Sequence, residues 1–228
     1  MNQVLSEEDT REKISAMINA TEVQADAGTT ILEAARTVGI EIPTLCHSPD
    51  LKPTGNCRIC VVEVEGARTL VGACHTPISA GMEIKTDSAK VILARKATIE
   101  LLMAAHTGEC VTDEHTGACV LRKLADQLES GSPRFLMRRP RWYPVEATNP
   151  YVLRDMSKCI LCRKCISACT EIAGKNVYSL AYRGFATKVV VDFDDPLRTD
   201  VCRDCGICID YCPTGALGKP LTAGGEKK

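Results

Sequence analysis

CILCRKCISAC, residues 159–169, and CRDCGICIDYCP, residues 202–213, decide how this chain is read. Each run spaces its cysteines C-x2-C-x2-C-x3-C, and Pro213 closes the second. Three thiolates on one tight loop can wrap three corners of an iron–sulfur cube. In a doubled run of this kind the fourth cysteine closes the other cube. One [4Fe–4S] cluster is therefore expected on Cys159, Cys162, Cys165 and Cys212, and another on Cys202, Cys205, Cys208 and Cys169. Gly206 gives the second loop backbone freedom beside its cluster. Paired zinc sites seldom interleave two triplets, so zinc is the weaker reading.

Working outward, a third set lies upstream. Cys46, Cys57, Cys60 and Cys74 are spaced C-x10-C-x2-C-x13-C. Four thiolates in this order can hold zinc or a [2Fe–2S] cluster. A Rieske arrangement would need histidines in place of two cysteines. Four cysteines are present already, so His47 and His75 are read as neighbours of the site.

The flanking pattern is that of a small α+β unit. KISAMINATEVQAD (13–26) predicts two strands turning near Asn19-Ala20. In TTILEAARTVGIEIP (29–43), Thr30 and Glu33 form a capping box, an apolar stripe follows, and Gly39 ends the helix. VVEVEGARTLV (61–71) predicts a hairpin turning at Gly66, and MEIK (82–85) a further strand. Residues 88–105 predict an amphipathic helix with Asp87 as N-cap and a stripe of Val91, Ile92, Ile99, Leu102 and Met103. A third helix is expected over residues 118–130. The domain division expected is 13–87, 88–130, a linker at 131–150, and 151–220. GSPRFLMRRPRWYPVEATNP (131–150) has no regular period. It is either a solvated connector or a strap docked on a neighbour.

Between the two outer helices lies AHTGECVTDEHTGACV (105–120), which carries two cysteines, two histidines and three acids. Fourteen of the 228 residues are cysteine, and twelve are used by the three sets above; Cys110 and Cys119 are left.

Composition limits the function. The formal charge is −1 and aromatics are 4%, which argues against nucleic acid as a partner. No apolar run approaches the roughly 20 residues a membrane span needs, and the acidic start is not a secretory signal. A cytoplasmic location is expected, where thiols stay reduced and metal outcompetes disulfides. Gly-rich nucleotide fingerprints, a P-loop and a Ser-His-Asp context are missing, so no catalytic residue is expected. With the chain stopping at residue 228, a catalytic domain of its own is not expected either.

TTILEAARTVGIEIPTLC, GNCRICVVEVEG, KCILCRKC, RGFATKVV and CGICIDYCPTGAL in this order resemble the N-terminal part of the large iron–sulfur subunit of respiratory complex I. They also resemble the diaphorase small subunit of NAD-reducing hydrogenases and the matching regions of [FeFe] hydrogenases and NAD-linked formate dehydrogenases. The resemblance covers residues 13–218. It implies a β-grasp [2Fe–2S] ferredoxin domain, a small helical domain with a His/Cys-ligated [4Fe–4S] cluster, and a two-cluster bacterial ferredoxin-like domain. That family's histidine site has the form H-x3-C-x2-C-x5-C. His106, Cys110 and Cys119 match it, and Asp113 stands at the middle cysteine. Three outcomes are open: Asp113 completes an altered third [4Fe–4S] cluster, His115 replaces the thiolate, or the cluster is lost. The first is favoured.

The function the resemblance implies is electron relay in a multi-subunit NAD(P)-linked oxidoreductase. The partners implied are an NAD(P)H-binding flavoprotein subunit with its small [2Fe–2S] companion, and a catalytic subunit. That catalytic subunit is a hydrogenase first and a formate dehydrogenase second. The alternative is a freestanding multi-cluster ferredoxin, and a third reading is a scaffold whose clusters only hold the fold. Three small domains have small cores, so cluster binding and folding are expected to be coupled.

Overall fold

A computed structural model describes residues 13–107, 119–134, 142–197 and 200–220. Of these, 13–44 and 58–95 form one compact unit, and 45–57 with the residues from 96 onward form another.

The first unit begins with β1 (Lys13–Ile18) and β2 (Thr21–Asp26), an antiparallel hairpin in register from Lys13↔Asp26 to Ile18↔Thr21. Its two-residue turn, Asn19-Ala20, has both φ angles positive (49° and 65°), the handedness that matches the twist of the strands. Alternation in β1 sends Ala16 and Ile18 inward. Helix α1 (Ile31–Thr37) has the expected capping box: Glu33 N–H donates to Thr30 Oγ1, and the Glu33 carboxylate accepts from Thr30 N–H. Gly39 follows it at φ +74°. β3 (Val61–Val64) and β4 (Val71–Gly72) form the expected hairpin, and β5 (Glu83–Lys85) completes the sheet in the order β2-β1-β5-β3-β4. β5 runs parallel to β1 and antiparallel to β3. Ile18, Ile31, Leu32 and Val62 are fully buried between sheet and helix, each burial contributing about 1.5–3 kcal/mol.

Helix α2 (Ala89–Ala105) belongs to this unit as far as Arg95. Its cap corrects the sequence reading. Ser88, and not Asp87, is the N-cap, accepting from Val91 N–H at 3.3 Å. The apolar stripe is also less clean than expected. Val91 and Ile99 are buried and Leu102 and Met103 half-buried, but Ile92 is 36% exposed, while Arg95 and Glu100 are buried. Arg95 goes inside because its guanidinium donates to the carbonyls of Ile59 (3.1 Å) and Val61 (2.8 Å). Helical spacing counted apolar residues and missed this polar anchor.

In the second unit, α3 (Val120–Gln127) ends before the expected residue 130 because the chain turns at Leu128 and passes Glu129 at φ +47°. β6 (Leu153–Arg154) pairs antiparallel with β9 (Leu217–Gly218). Between them lie α4 (Lys164–Ser167), the hairpin β7 (Tyr178–Ala181) and β8 (Lys188–Val191), and α5 (Ile207–Asp210). The apolar cluster here is small and includes thiols: Val152, Tyr178, Val189, Val191, Leu197 and Leu217 pack with Cys169, Cys202 and Cys208.

Residues 142–149 are strapped down on this unit. Tyr143 N–H donates to Ser157 Oγ, Glu146 and Arg154 exchange backbone bonds, and the Glu146 carboxylate meets the Arg154 guanidinium at 3.0 Å. Asn149 Oδ1 accepts from the Tyr151 and Val152 amides while its Nδ2 donates to Leu197 O.

Candidate metal centres

The two cysteine runs fold as copies of one loop. In the first, Leu161 (φ +57°) and Arg163 (φ +65°) are left-handed; in the second, Asp204 (φ +55°) and Gly206 (φ +63°) occupy the same two places. Only the last is glycine. The other three each accept roughly 1–2 kcal/mol of backbone strain. Such conformations persist where surroundings impose them, and they turn successive N–H groups and side chains toward a common centre. Cys165 and Cys208 then sit on the first turns of α4 and α5.

Cys159, Cys162, Cys165 and Cys212 line one cavity, closed on its apolar sides by Met156, Val189 and Leu217. Burial pushes the Cys162 thiol up to about 12, and neighbouring Cys212 and Cys159 add to that. Cys165 is raised well above the ordinary thiol value, first by burial and then by Cys159, Cys162 and Cys212. Cys202 is raised by burial and by Cys169 and Cys205. Cys208 is pushed up to about 11 by burial, against an opposing bond with Tyr178, with Cys202, Cys169 and Cys205 adding to the rise. So Cys212 stands with the first run, and Cys169 with the second. α4 and α5, which carry Cys165 and Cys208, pack against each other, which makes the two groups neighbours.

These sets suit a cationic cluster. Buried thiols that repel one another stay protonated on their own, and bound iron would deprotonate them outright. Donors to sulfur are in place: Leu161 N–H to Cys159 Sγ (3.4 Å) and Val177 N–H to Cys169 Sγ (3.3 Å). Tyr178 Oη lies 3.5 Å from Cys208 Sγ. Bonds of this kind to ligand sulfurs tune cluster potentials. Among the described residues, no group of three or more His, Cys, Asp or Glu gathers around one point as a single ion requires. Cysteines holding a cluster would not need to converge on one point, since they would bind different irons.

Of the upstream four, the first unit holds Cys60 and Cys74, both buried. Ala73 N–H bonds Cys60 O, and His75 Nδ1 lies 3.5 Å from Cys74 Sγ. His75 is exposed and His47 is buried. Arg95 anchors the backbone on both sides of Cys60. The second unit holds Cys46 and Cys57 in mutual contact, with Cys57 N–H donating to Cys46 Sγ at 3.4 Å. Cys46 is lowered to about 5, chiefly by hydrogen bonding from the Cys57 side chain. Next to Cys57, buried Asn56 Nδ2 has no partner among the described residues, a donor of the kind that an inorganic sulfide accepts.

Cys110, Asp113 and His115 lie outside the described residues. His106 and Cys119 lie within them, both buried, with Nε2 and Sγ 3.7 Å apart. His106 Nδ1 meets Lys158 O at 2.9 Å. A carbonyl only accepts, so Nδ1 carries the proton, and Nε2 of the neutral ring turns its lone pair toward Cys119. A metal-binding histidine is oriented this way. Thr107 N–H bonds Ser157 O and Val120 N–H bonds Pro213 O. Both ends of the His106/Cys119 pair thus hang on backbone next to Cys159 and Cys212. Main-chain acceptors such as Lys158 O leave no trace in a sequence. Glu146, Arg154 and Asn149, which hold this region in place, carry no local sequence signal either.

Fold and thiol groups are of the kind found in iron–sulfur proteins. Residues 11–89 match the 2Fe-2S iron-sulfur cluster binding domain, and residues 149–218 the ferredoxin-like domain of NADH-quinone oxidoreductase subunit 3. The chain is 39% identical over 202 residues to NADP-reducing hydrogenase subunit HndD of Solidesulfovibrio fructosivorans, covering 83% of this chain and 33% of that protein. It is 32% identical to a subunit of the NADH-quinone oxidoreductase of Rhizobium meliloti, covering 90% of this chain and 24% of that one. NADPH-Fe(3+) oxidoreductase subunit alpha of Geobacter sulfurreducens is 35% identical, with 91% and 24% covered. The chain therefore spans about a quarter to a third of these relatives. Among solved structures, a chain of the NAD+-reducing [NiFe]-hydrogenase in the H2-reduced state superposes with a TM-score of 0.75 at 27% identity. That match covers 94% of this chain and 90% of the other. The resemblance drawn from the sequence holds. No helix among the described residues is long and apolar enough to cross a membrane.

Proposed function

We propose that this chain is an electron relay in an NAD(P)-linked oxidoreductase of several subunits. It passes single electrons between a flavoprotein subunit that handles NAD(P)H, with its small [2Fe–2S] companion, and a catalytic metal subunit. A hydrogenase is the first choice for that subunit and a formate dehydrogenase the second. The observation that carries this reading is the pairing of two buried thiol groups whose members, Cys165 and Cys208, sit on helices α4 and α5 that pack against each other. Two redox centres in such contact exchange electrons readily. The names of the relatives point the same way.

The ligand sets are Cys46, Cys57, Cys60 and Cys74 for a [2Fe–2S] cluster in a β-grasp domain. Cys159, Cys162, Cys165 and Cys212 hold one [4Fe–4S] cluster, and Cys202, Cys205, Cys208 and Cys169 the other. His106, Cys110, Asp113 and Cys119 hold a third cube in the helical segment 88–130. The orientation of His106 toward Cys119 supports this last set. The cytoplasm suits fourteen thiols kept reduced for metal.

Iron and acid-labile sulfide on anaerobically purified protein, followed by a reductive titration read by electron paramagnetic resonance, test the reading. About 14 irons are expected, or about 10 if the Asp113 site is empty, with every cluster cycling reversibly. Clusters that cannot be reduced and reoxidised would sink the relay and leave only a scaffold.

A further inference from the structure

The loop of residues 45–57, which carries Cys46 and Cys57, is compact with the ferredoxin-like part of the chain. Two hydrogen bonds tie it there. Tyr211 Oη donates to Asp50 Oδ2 at 3.0 Å, and Lys52 N–H donates to Glu171 Oε2 at 3.0 Å. Their far ends are telling. Tyr211 directly precedes Cys212, and Glu171 follows Cys169 by two residues. These are the two cysteines that cross from one run to the other's cluster. Each crossing ligand therefore sits beside a residue that reaches the same loop. Lys164 Nζ, 5.9 Å from the centre of the Tyr211 ring, helps hold that ring in place.

Both bonds are exposed, where such contacts add little to stability because water replaces them at small cost. What they do fix is distance. Electron tunnelling falls off exponentially with separation, so a loop that drifts by an ångström changes the rate while the fold survives.

Resting on the relay reading above, we propose that Asp50–Tyr211 and Lys52–Glu171 form a two-point clamp, with Tyr211 the residue that positions the Cys46/Cys57 loop for electron exchange with the Cys212 cube. In that step a reduced [2Fe–2S]+ cluster becomes [2Fe–2S]2+ as one electron converts [4Fe–4S]2+ to [4Fe–4S]+. No covalent bond changes and no proton is required.

The test uses the full cluster-loaded chain, partly reduced with dithionite. Freeze-quench paramagnetic resonance follows electron redistribution between the [2Fe–2S] and cube signals. Tyr211→Phe removes the donor hydroxyl and keeps the ring; Asp50→Asn keeps an acceptor oxygen. Tyr211→Phe should slow redistribution about tenfold or more, the scale on which ångström displacements act on reacting groups. Its iron content, its individual cluster spectra and its Tm should match wild type, and Asp50→Asn should redistribute at the wild-type rate. Wild-type speed in Tyr211→Phe overturns the clamp, and so does a slow rate accompanied by lost iron or a lowered Tm, which would make Tyr211 structural. A wild-type chain whose clusters form but never exchange electrons overturns the relay itself, before any variant is compared.

Discussion

The first unit and the ferredoxin-like part of the second both bury cysteines, but they lean on their apolar cores to very different degrees. The first has a five-stranded sheet, a capped helix and a core led by aliphatic side chains such as Ile18, Ile31, Leu32 and Val62, with Cys60 and Cys74 in the same cluster. The second has two-stranded sheets, short helices, strained loop residues, and cysteines within its apolar cluster. The sheet unit gains its stability from burial. The other asks a metal to supply what its core lacks, as small domains commonly do. The sheet unit should therefore depend less on its cluster than the ferredoxin-like part depends on its own.

Stripping the iron breaks this comparison most sharply. After anaerobic chelation, residues 142–197 and 200–220 should lose amide protection altogether, while β1 and β2 keep theirs, as hydrogen exchange read by mass spectrometry would reveal. Equal protection in both regions would erase the contrast. Next in size is Glu146→Ala. It leaves the Arg154 guanidinium, 2% exposed, without its carboxylate, and should destabilise the second unit by about 3–5 kcal/mol. Denaturant titration followed by cluster absorbance reads this loss, and a shift below about 1 kcal/mol would mean the strap holds nothing.

The matching change in the sheet unit is Leu32→Ala, which opens a cavity in the apolar core and should cost about 2–5 kcal/mol. Exchange at β1 should quicken while cluster spectra stay as they are; bleached clusters would show that the apolar core and the clusters are not separate. Smallest is Thr30→Ala, which removes the cap of α1 at a cost of about 1 kcal/mol. Chemical denaturation should register it with no change in iron content.

Much of this was legible because it is local. The Thr30/Glu33 box, the turn at Asn19-Ala20 and the hairpin at Gly66 depend on residues a few positions apart, and each forms as read. The α2 stripe held at Val91, Ile99, Leu102 and Met103 but missed a buried polar residue with a long-range partner. Nothing near Arg95 in sequence announces that the carbonyls of Ile59 and Val61 will receive it. Cap choice at Ser88 over Asp87 turned on one residue of register, finer than periodicity resolves.

The sequence by itself determined which cysteines are grouped at cluster-like spacing, since thiol spacing on a tight loop is a matter of chain reach. Tertiary structure alone decided what surrounds them. The parallel pairing of β5 with β1, the Lys158 carbonyl that orients His106, the Glu146–Arg154 pair and the two ties on the 45–57 loop all join residues distant in the chain. Main-chain carbonyls are identical at every position, and surface acids and tyrosines are common. Only the folded backbone selects which of them meet.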